Sequence, residues 1–177
     1  MDYFIPVYQR EAILSSGHQW VGSEHAKTCV IMAFVHEKTV VLAHIDAMCT
    51  NAVQDMSDKL PNFTKVYVAC PVVSASEYNV WKHIESELLK SNPEIEIEIG
   101  HESSLAICPE TGEVLRGFRN ITEHSSDKSS RQLQIIFTLT KETPLRWFSL
   151  QGEKLTCEWK LPASVFTFSV KFFSFSS

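Results

Sequence analysis

Residues 22–46 read Gly-Ser-Glu-His-Ala-Lys-Thr-Cys-Val-Ile-Met-Ala-Phe-Val-His-Glu-Lys-Thr-Val-Val-Leu-Ala-His-Ile-Asp. Two apolar runs rich in β-branched residues, Val30 to Val35 and Val40 to Ile45, flank the charged break Glu37-Lys38. That pattern predicts two strands joined by a tight reversal. With a two- or four-residue loop, Phe34 faces Val41, Ile31 faces His44 and Cys29 faces Asp46. Cys29 and His44 then share one face as diagonal neighbours, about 7 to 8 Å apart along the backbone. A three-residue loop would shift the register by one and turn His44 to the opposite face.

A thiol beside an imidazole is a means of attacking carbonyl carbon. A free cysteine has a pKa of about 8.5, and a nearby imidazole is expected to lower it and make a thiolate nucleophile. The imidazolium then protonates the leaving group. A third group usually orients the base or the substrate, and Asp46, Ser23 and Thr28 are all near enough in sequence to serve. The backbone amide of Cys29, at a loop-to-strand junction, is a candidate oxyanion donor. Cys49 has no basic neighbour to activate it and reads as structural.

Ser23, Thr28, Cys29 and His44, set in Val-Gly-Ser-Glu-His-Ala-Lys-Thr-Cys and Leu-Ala-His-Ile-Asp, resemble the signature of the protein N-terminal asparagine amidohydrolases. That family carries Gly-Ser-acidic-acidic-x-Thr-Thr-Cys, an apolar strand, and Leu-Thr-His-x-Asp. Val7-Tyr8-Gln9-Arg10-Glu11 upstream, and Ser104-Leu105-Ala106-Ile107 with Thr111-Gly112-Glu113-Val114 downstream, resemble flanking family segments. More distantly, the spacing of Ser23, Cys29 and His44 is similar to that of the chemoreceptor glutamine deamidases and the cytotoxic necrotizing factor toxins. The resemblance is strongest over residues 5–118.

The resemblance implies a cysteine-dependent hydrolase of linear carboxamides that turns the N-terminal asparagine of a protein or peptide into aspartate and releases ammonia. Cys29, His44 and Ser23 would be catalytic. Glu24, Thr28 and Asp46 would bind the substrate, a carboxylate among them holding its free α-ammonium. Neither a cofactor nor a metal is implied. The alternatives are a deamidase of internal glutamine and a non-catalytic β-rich interaction module. Two departures stand out: His25 replaces the second acidic residue, and Lys27 replaces a threonine.

The rest of the chain sets bounds. At 177 residues, 44% hydrophobic and 21% charged, it fits one globular domain over residues 1–177, with a β-rich part over 132–177. The formal charge of -5 and the lack of a Lys/Arg cluster argue against a nucleic-acid surface. No run of eighteen apolar residues is present to span a bilayer, and Met1-Asp2-Tyr3-Phe4 does not read as a secretory leader. Five widely spaced cysteines without Cys-x-x-Cys fit a reducing interior, cytoplasmic or nuclear. Neither they nor the seven histidines show metal-type spacing.

Strands are expected at Tyr3 to Tyr8 and Ala12 to Leu14, both pairing with the central hairpin. A short helix is expected over Thr50 to Leu60, capped by Thr50 or Asn51. A strand at Thr64 to Cys70 should lead to a second helix, opened by the capping box Ser74-Ala75-Ser76-Glu77, with Tyr78, Trp81, Ile84 and Leu88 as its apolar stripe. The strand Glu94 to Ile99 then returns by a crossover, so part of the sheet is parallel, with Glu94, Glu96 and Glu98 on a wet face and Ile95, Ile97 and Ile99 on a buried one. A hairpin spans 104–118, and Ile121 to Arg131 reads as a polar loop. Strands follow at Leu133 to Thr140, Leu145 to Leu150, Lys154 to Lys160 and the Phe-rich Val165 to Phe175. The expected fold is α+β: a β-rich sandwich or curved mixed sheet with about two flanking helices, as in the cysteine deamidases.

Overall fold

The computed structural model describes residues 4–71, 80–118 and 144–158. The chain runs β1 (Ile5–Pro6), β2 (Glu11–Ser16), β3 (Val21–Ser23), β4 (Val30–His36), β5 (Thr39–Ile45), α1 (Ala52–Lys59) and β6 (Lys65–Ala69). It continues with α2 (Val80–Ser91), β7 (Glu96–Gly100), β8 (Leu105–Ile107), β9 (Val114–Arg116), β10 (Arg146–Gln151) and β11 (Lys154–Cys157). Among the described residues, a seven-stranded mixed sheet has the order β11-β10-β2-β5-β4-β6-β7, and a four-stranded mixed sheet the order β1-β3-β8-β9. The fold is α+β and β-rich.

The β4–β5 hairpin is the spine of the large sheet. Its register pairs Ile31 with His44, Phe34 with Val41 and His36 with Thr39, the alignment expected of a two- or four-residue loop and not the shifted one of a three-residue loop. Glu37 adopts a φ of 51°, the left-handed conformation that such a turn demands. Alternation then sends the two faces of the hairpin into separate cores. Val30, Met32, Phe34, Val41, Ala43 and Ile45 pack with Ala52, Val53 and Met56 of α1 and Trp81, Ile84 and Leu88 of α2. Ile31, Ala33, Val40 and Leu42 pack with Ile5, Val21, Leu105 and Ile107 of the small sheet. Both faces are covered, which explains why β4 and β5 are continuous apolar runs rather than alternating ones. The molecule has three layers: helices, large sheet, small sheet.

The expectations of the crossover, the 104–118 hairpin and the α2 stripe are met around this spine. The β6–α2–β7 unit is a crossover with β6 and β7 parallel, and β8–β9 is an antiparallel hairpin. On α2, Trp81, Ile84 and Leu88 are buried while His83 is exposed. None of the five cysteines is in a disulfide. Among the described residues no helix is long and apolar enough to cross a membrane.

Other expectations are corrected. β2 does pair with β5, but the strand before it belongs to the small sheet, where β1 runs parallel to β3. The turn at Tyr8 to Glu11, closed by the Glu11 amide donating to the Tyr8 carbonyl at 2.9 Å, carries the chain between sheets. Asn51 occupies the N-cap of α1 without a side-chain capping bond. The acidic face of β7 is exposed as expected, and it also carries ion pairs: Lys65 lies 2.7 Å from Glu96 and 3.1 Å from Glu98, and Arg116 lies 3.6 Å from Glu98. Ile99, expected inside, is 39% exposed; among the described residues β7 lies at the edge of the large sheet. The capping box 74–77, Tyr78, the polar stretch 121–131, the strand 133–140 and the Phe-rich strand 165–175 lie outside the described residues.

Gly22 shows how tightly the small sheet is built. It pairs with Ala106, and a Cβ on Gly22 would lie 2.6 Å from the Ala106 Cβ and 3.0 Å from the Phe4 ring. The space must stay empty for β3 to lie against β8. Gly22→Ala is therefore expected to lower stability by about 1 to 3 kcal/mol through overpacking. Urea unfolding checks this, and an unchanged or raised midpoint would contradict the packing described.

Candidate functional site

The site forms where the C-terminal end of β5 meets β3 across the inter-sheet core. His44, the penultimate residue of β5, points toward the small sheet and is 5% exposed. Ser23, the last residue of β3, is 2% exposed, and its Oγ lies 2.8 Å from His44 Nδ1. The same hydroxyl donates to the Val7 carbonyl at 2.5 Å. A serine hydroxyl has one proton, and a carbonyl can only accept. With that proton committed to Val7, Ser23 Oγ accepts from His44 Nδ1–H. The neutral ring is thereby held in the Nδ1–H tautomer, with the basic lone pair on Nε2.

Cys29 occupies a bend one residue before β4 and is half-buried. Since Ile31 pairs with His44, Cys29 lies on the His44 face at the diagonal position, packed against the inter-sheet core. Its thiol is pushed above its ordinary range, chiefly by burial and next by the Asp46 carboxylate. A hydrogen bond with the Thr28 side chain and the Arg10 charge pull the other way. His44 is lowered from 6.5 to about 4, again chiefly by burial, with Asp46 opposing and His25 reinforcing. The sequence expectation of a thiolate stabilised by imidazole is corrected here. Burial disfavours both charged forms, so the resting pair is a neutral thiol and a neutral imidazole.

Asp46 does not touch the His44 ring. Its Oδ2 accepts from Gln9 Nε2 at 2.7 Å and from Arg10 Nε at 2.5 Å, while Oδ1 accepts from the Met48 amide at 2.9 Å and faces Cys49 Sγ at 3.6 Å. Burial alone would raise its pKa, but these donors and the Arg10 charge outweigh it and hold the carboxyl below 3.8. Of the residues the sequence offered as orienters of His44, Ser23 makes the contact and Asp46 does not. Glu24 follows Ser23 directly, its side chain 11% exposed, with His25 Nε2 3.0 Å from one carboxylate oxygen. Thr28 is exposed beside the thiol, and Cys49 is buried with its thiol pushed up to about 12, as befits a structural residue.

Other participants were not singled out from the sequence. Val7 supplies the carbonyl that fixes Ser23, and Gln9 and Arg10 hold Asp46. Arg10 adopts a left-handed φ of 66°, and its amide donates to the His44 carbonyl at 2.7 Å. Arg146 of β10 braces this turn, its amide donating to the Arg10 carbonyl and its Nη2 to the Gln9 carbonyl, each at 2.9 Å. The resemblance over Val7 to Glu11 was the signal for the first three. Nothing local in the sequence signals Arg146.

The lowered His44 pKa has a consequence for stability. Between 6.5 and about 4 the unfolded chain binds a proton at His44 that the folded chain refuses, so its contribution is complete above pH 6.5 and lost as pH falls through about 4. The full loss is about 3 kcal/mol. Asp46, whose folded pKa is also lowered, loses its contribution only below 3.8. Urea unfolding from pH 7.5 to 4.2 should show a decline that His44→Gln largely removes, and an equal decline in both proteins would contradict the assignment.

No protein-family model matches this chain, and no curated protein does.

Proposed function

We propose that the protein is a cysteine-dependent amidohydrolase that converts the side chain of an N-terminal asparagine into aspartate and releases ammonia. The observation that carries the reading is the Ser23 hydroxyl seated between the Val7 carbonyl and His44 Nδ1, which leaves His44 Nε2 as a base on the face that Cys29 shares. The signature of Ser23, Thr28, Cys29 and His44, resembling the N-terminal asparagine amidohydrolases, supports the choice of substrate. By the same resemblance, the product would be a protein marked for degradation through its new N-terminus.

The neutral resting pair makes proton transfer part of the attack. Cys29 Sγ bonds to the carboxamide carbon, its proton passes to His44 Nε2, and the C=O electron pair moves onto oxygen. Collapse restores C=O and breaks C–N, while His44 gives its proton to the departing nitrogen, so ammonia leaves and a thioester remains. A water then attacks, passing its proton to His44, and the thiol departs carrying that proton back. Ser23 holds the ring aligned throughout, donating to Val7 and accepting from Nδ1. Glu24 would hold the substrate's α-ammonium, because the oxygens of Asp46 already face donors of this chain.

One observation favours a second reading. His25, which stands where the resembled family is acidic, lies 3.0 Å from Glu24 and shares its carboxylate. A site with a weaker hold on an α-ammonium suits an internal glutamine, which has none.

Ammonia release from peptides beginning with asparagine, glutamine or acetylated asparagine separates these readings. Release from the free asparagine peptide alone, abolished in Cys29→Ala, is the expected result. Release from none would contradict it. With the active peptide, Ser23→Ala is expected to lower kcat by about tenfold to a hundredfold through lost alignment of the ring. The acid limb of kcat/KM should fall near pH 4 rather than 6.5.

A further inference from the structure

The Arg10 side chain is used on one side only. Its Nε reaches Asp46 Oδ2 at 2.5 Å, and its two Nη groups have no hydrogen-bonding partner among the described residues. The side chain is 14% exposed, and these donors face solvent with no protein partner among the described residues. A guanidinium carries five N–H donors in a fixed fork, and a half-buried one with most of them unused is a ready anion site. Its place is set on three sides. The Arg10 amide donates to the His44 carbonyl, its carbonyl accepts from the Arg146 amide, and its side chain lies on the carboxylate of Asp46. The β4–β5 ladder ends at Val30 and Ile45, and just beyond it both Asp46 and Arg10 lie near enough to Cys29 to act on its charge. The guanidinium is therefore held at the Cys29 end of the hairpin. The left-handed φ of 66° at Arg10 is part of the turn that holds it there.

We infer that Arg10 is an anion-binding residue of the site, its free Nη edge donating to the substrate's carbonyl oxygen as that oxygen becomes an oxyanion beside Cys29. The identity of the ligand rests on the amidohydrolase reading; the anion site itself does not. In the attack step the S–C bond forms, the thiol proton goes to His44 Nε2, and the C=O pair becomes the negative charge that Arg10 faces. When C=O re-forms and C–N breaks, that charge returns to the carbonyl and the contact weakens. Arg10 thus binds the transition state better than the neutral amide, which is the requirement for raising kcat.

Two alkylating reagents test the site without any substrate. Iodoacetate carries a carboxylate and iodoacetamide does not, and the rates at Cys29 are followed by mass spectrometry of its peptide. The iodoacetate to iodoacetamide ratio is expected to fall by about tenfold in Arg10→Gln. Removing Arg10 also unmasks Asp46, so the comparison is repeated with Asp46→Asn present in both proteins. A fall in both backgrounds supports the inference; no fall, or a fall only where Asp46 keeps its charge, overturns it. On the unaltered protein, acetate should slow iodoacetamide at Cys29, a readout independent of whether Arg10→Gln folds, and no protection at any concentration overturns the inference. If a peptide proves active, Arg10→Gln should lower its kcat by about a hundredfold or more with KM little changed, and equal kcat would overturn the oxyanion role. A protein that releases no ammonia from any peptide yet shows the shift in ratio has the anion site without the proposed reaction.

Discussion

The Ser23 hydroxyl, held between a main-chain carbonyl and an imidazole, is the constraint on which the site depends. It is a contact between the two sheets: Ser23 ends a strand of the small sheet and His44 nearly ends a strand of the large one. Because a hydroxyl has one proton, its donation to Val7 decides the direction of the second bond and hence the tautomer of His44. The packing of the small sheet therefore sets a protonation state. Gly22, with no room for a Cβ beside Ala106 and Phe4, is the sequence's means of bringing β3 close enough to do it.

The electrostatics follow from the same burial. In water a thiol with a pKa of about 8.5 and an imidazole with one of about 6.5 already favour their neutral forms. Here desolvation raises one and lowers the other, and the neutral pair persists. The site stores no resting thiolate, so in the proposed reaction nucleophile and charge would arise together. Asp46, which sequence proximity offered as a partner for His44, instead neutralises Arg10 and ties the Gln9–Arg10 turn to the end of β5.

How much of this could be read from the sequence depends on the range of the interactions. The β4–β5 register was legible because a charged two-residue break between apolar runs admits few alignments, and that alignment sets Cys29 and His44 on one face. The α2 stripe and the β6–α2–β7 crossover were legible for similar local reasons. β3 was not, because three residues, Val21 to Ser23, carry too little pattern to declare a strand, and so the joining of β1 to the β8–β9 hairpin in one small sheet could not be read. The role of Val7 is a carbonyl's, which side-chain reading cannot reveal. Arg146 reaches the Gln9 turn through the parallel pairing of β10 with β2, a contact between distant parts of the chain with no local signature. The alternation of β7 misled at Ile99, because periodicity reports a face but not whether anything covers it at a sheet edge.

The most direct test is the protonation state of His44 itself. Nitrogen-15 NMR of histidine-labelled protein at pH 7, with the His44 signals assigned by His44→Gln, distinguishes the two neutral tautomers and the imidazolium. The account predicts a neutral ring with the proton on Nδ1 and an unprotonated Nε2, shifting toward tautomeric exchange in Ser23→Ala. A ring protonated on Nε2, or an imidazolium at neutral pH, would contradict it.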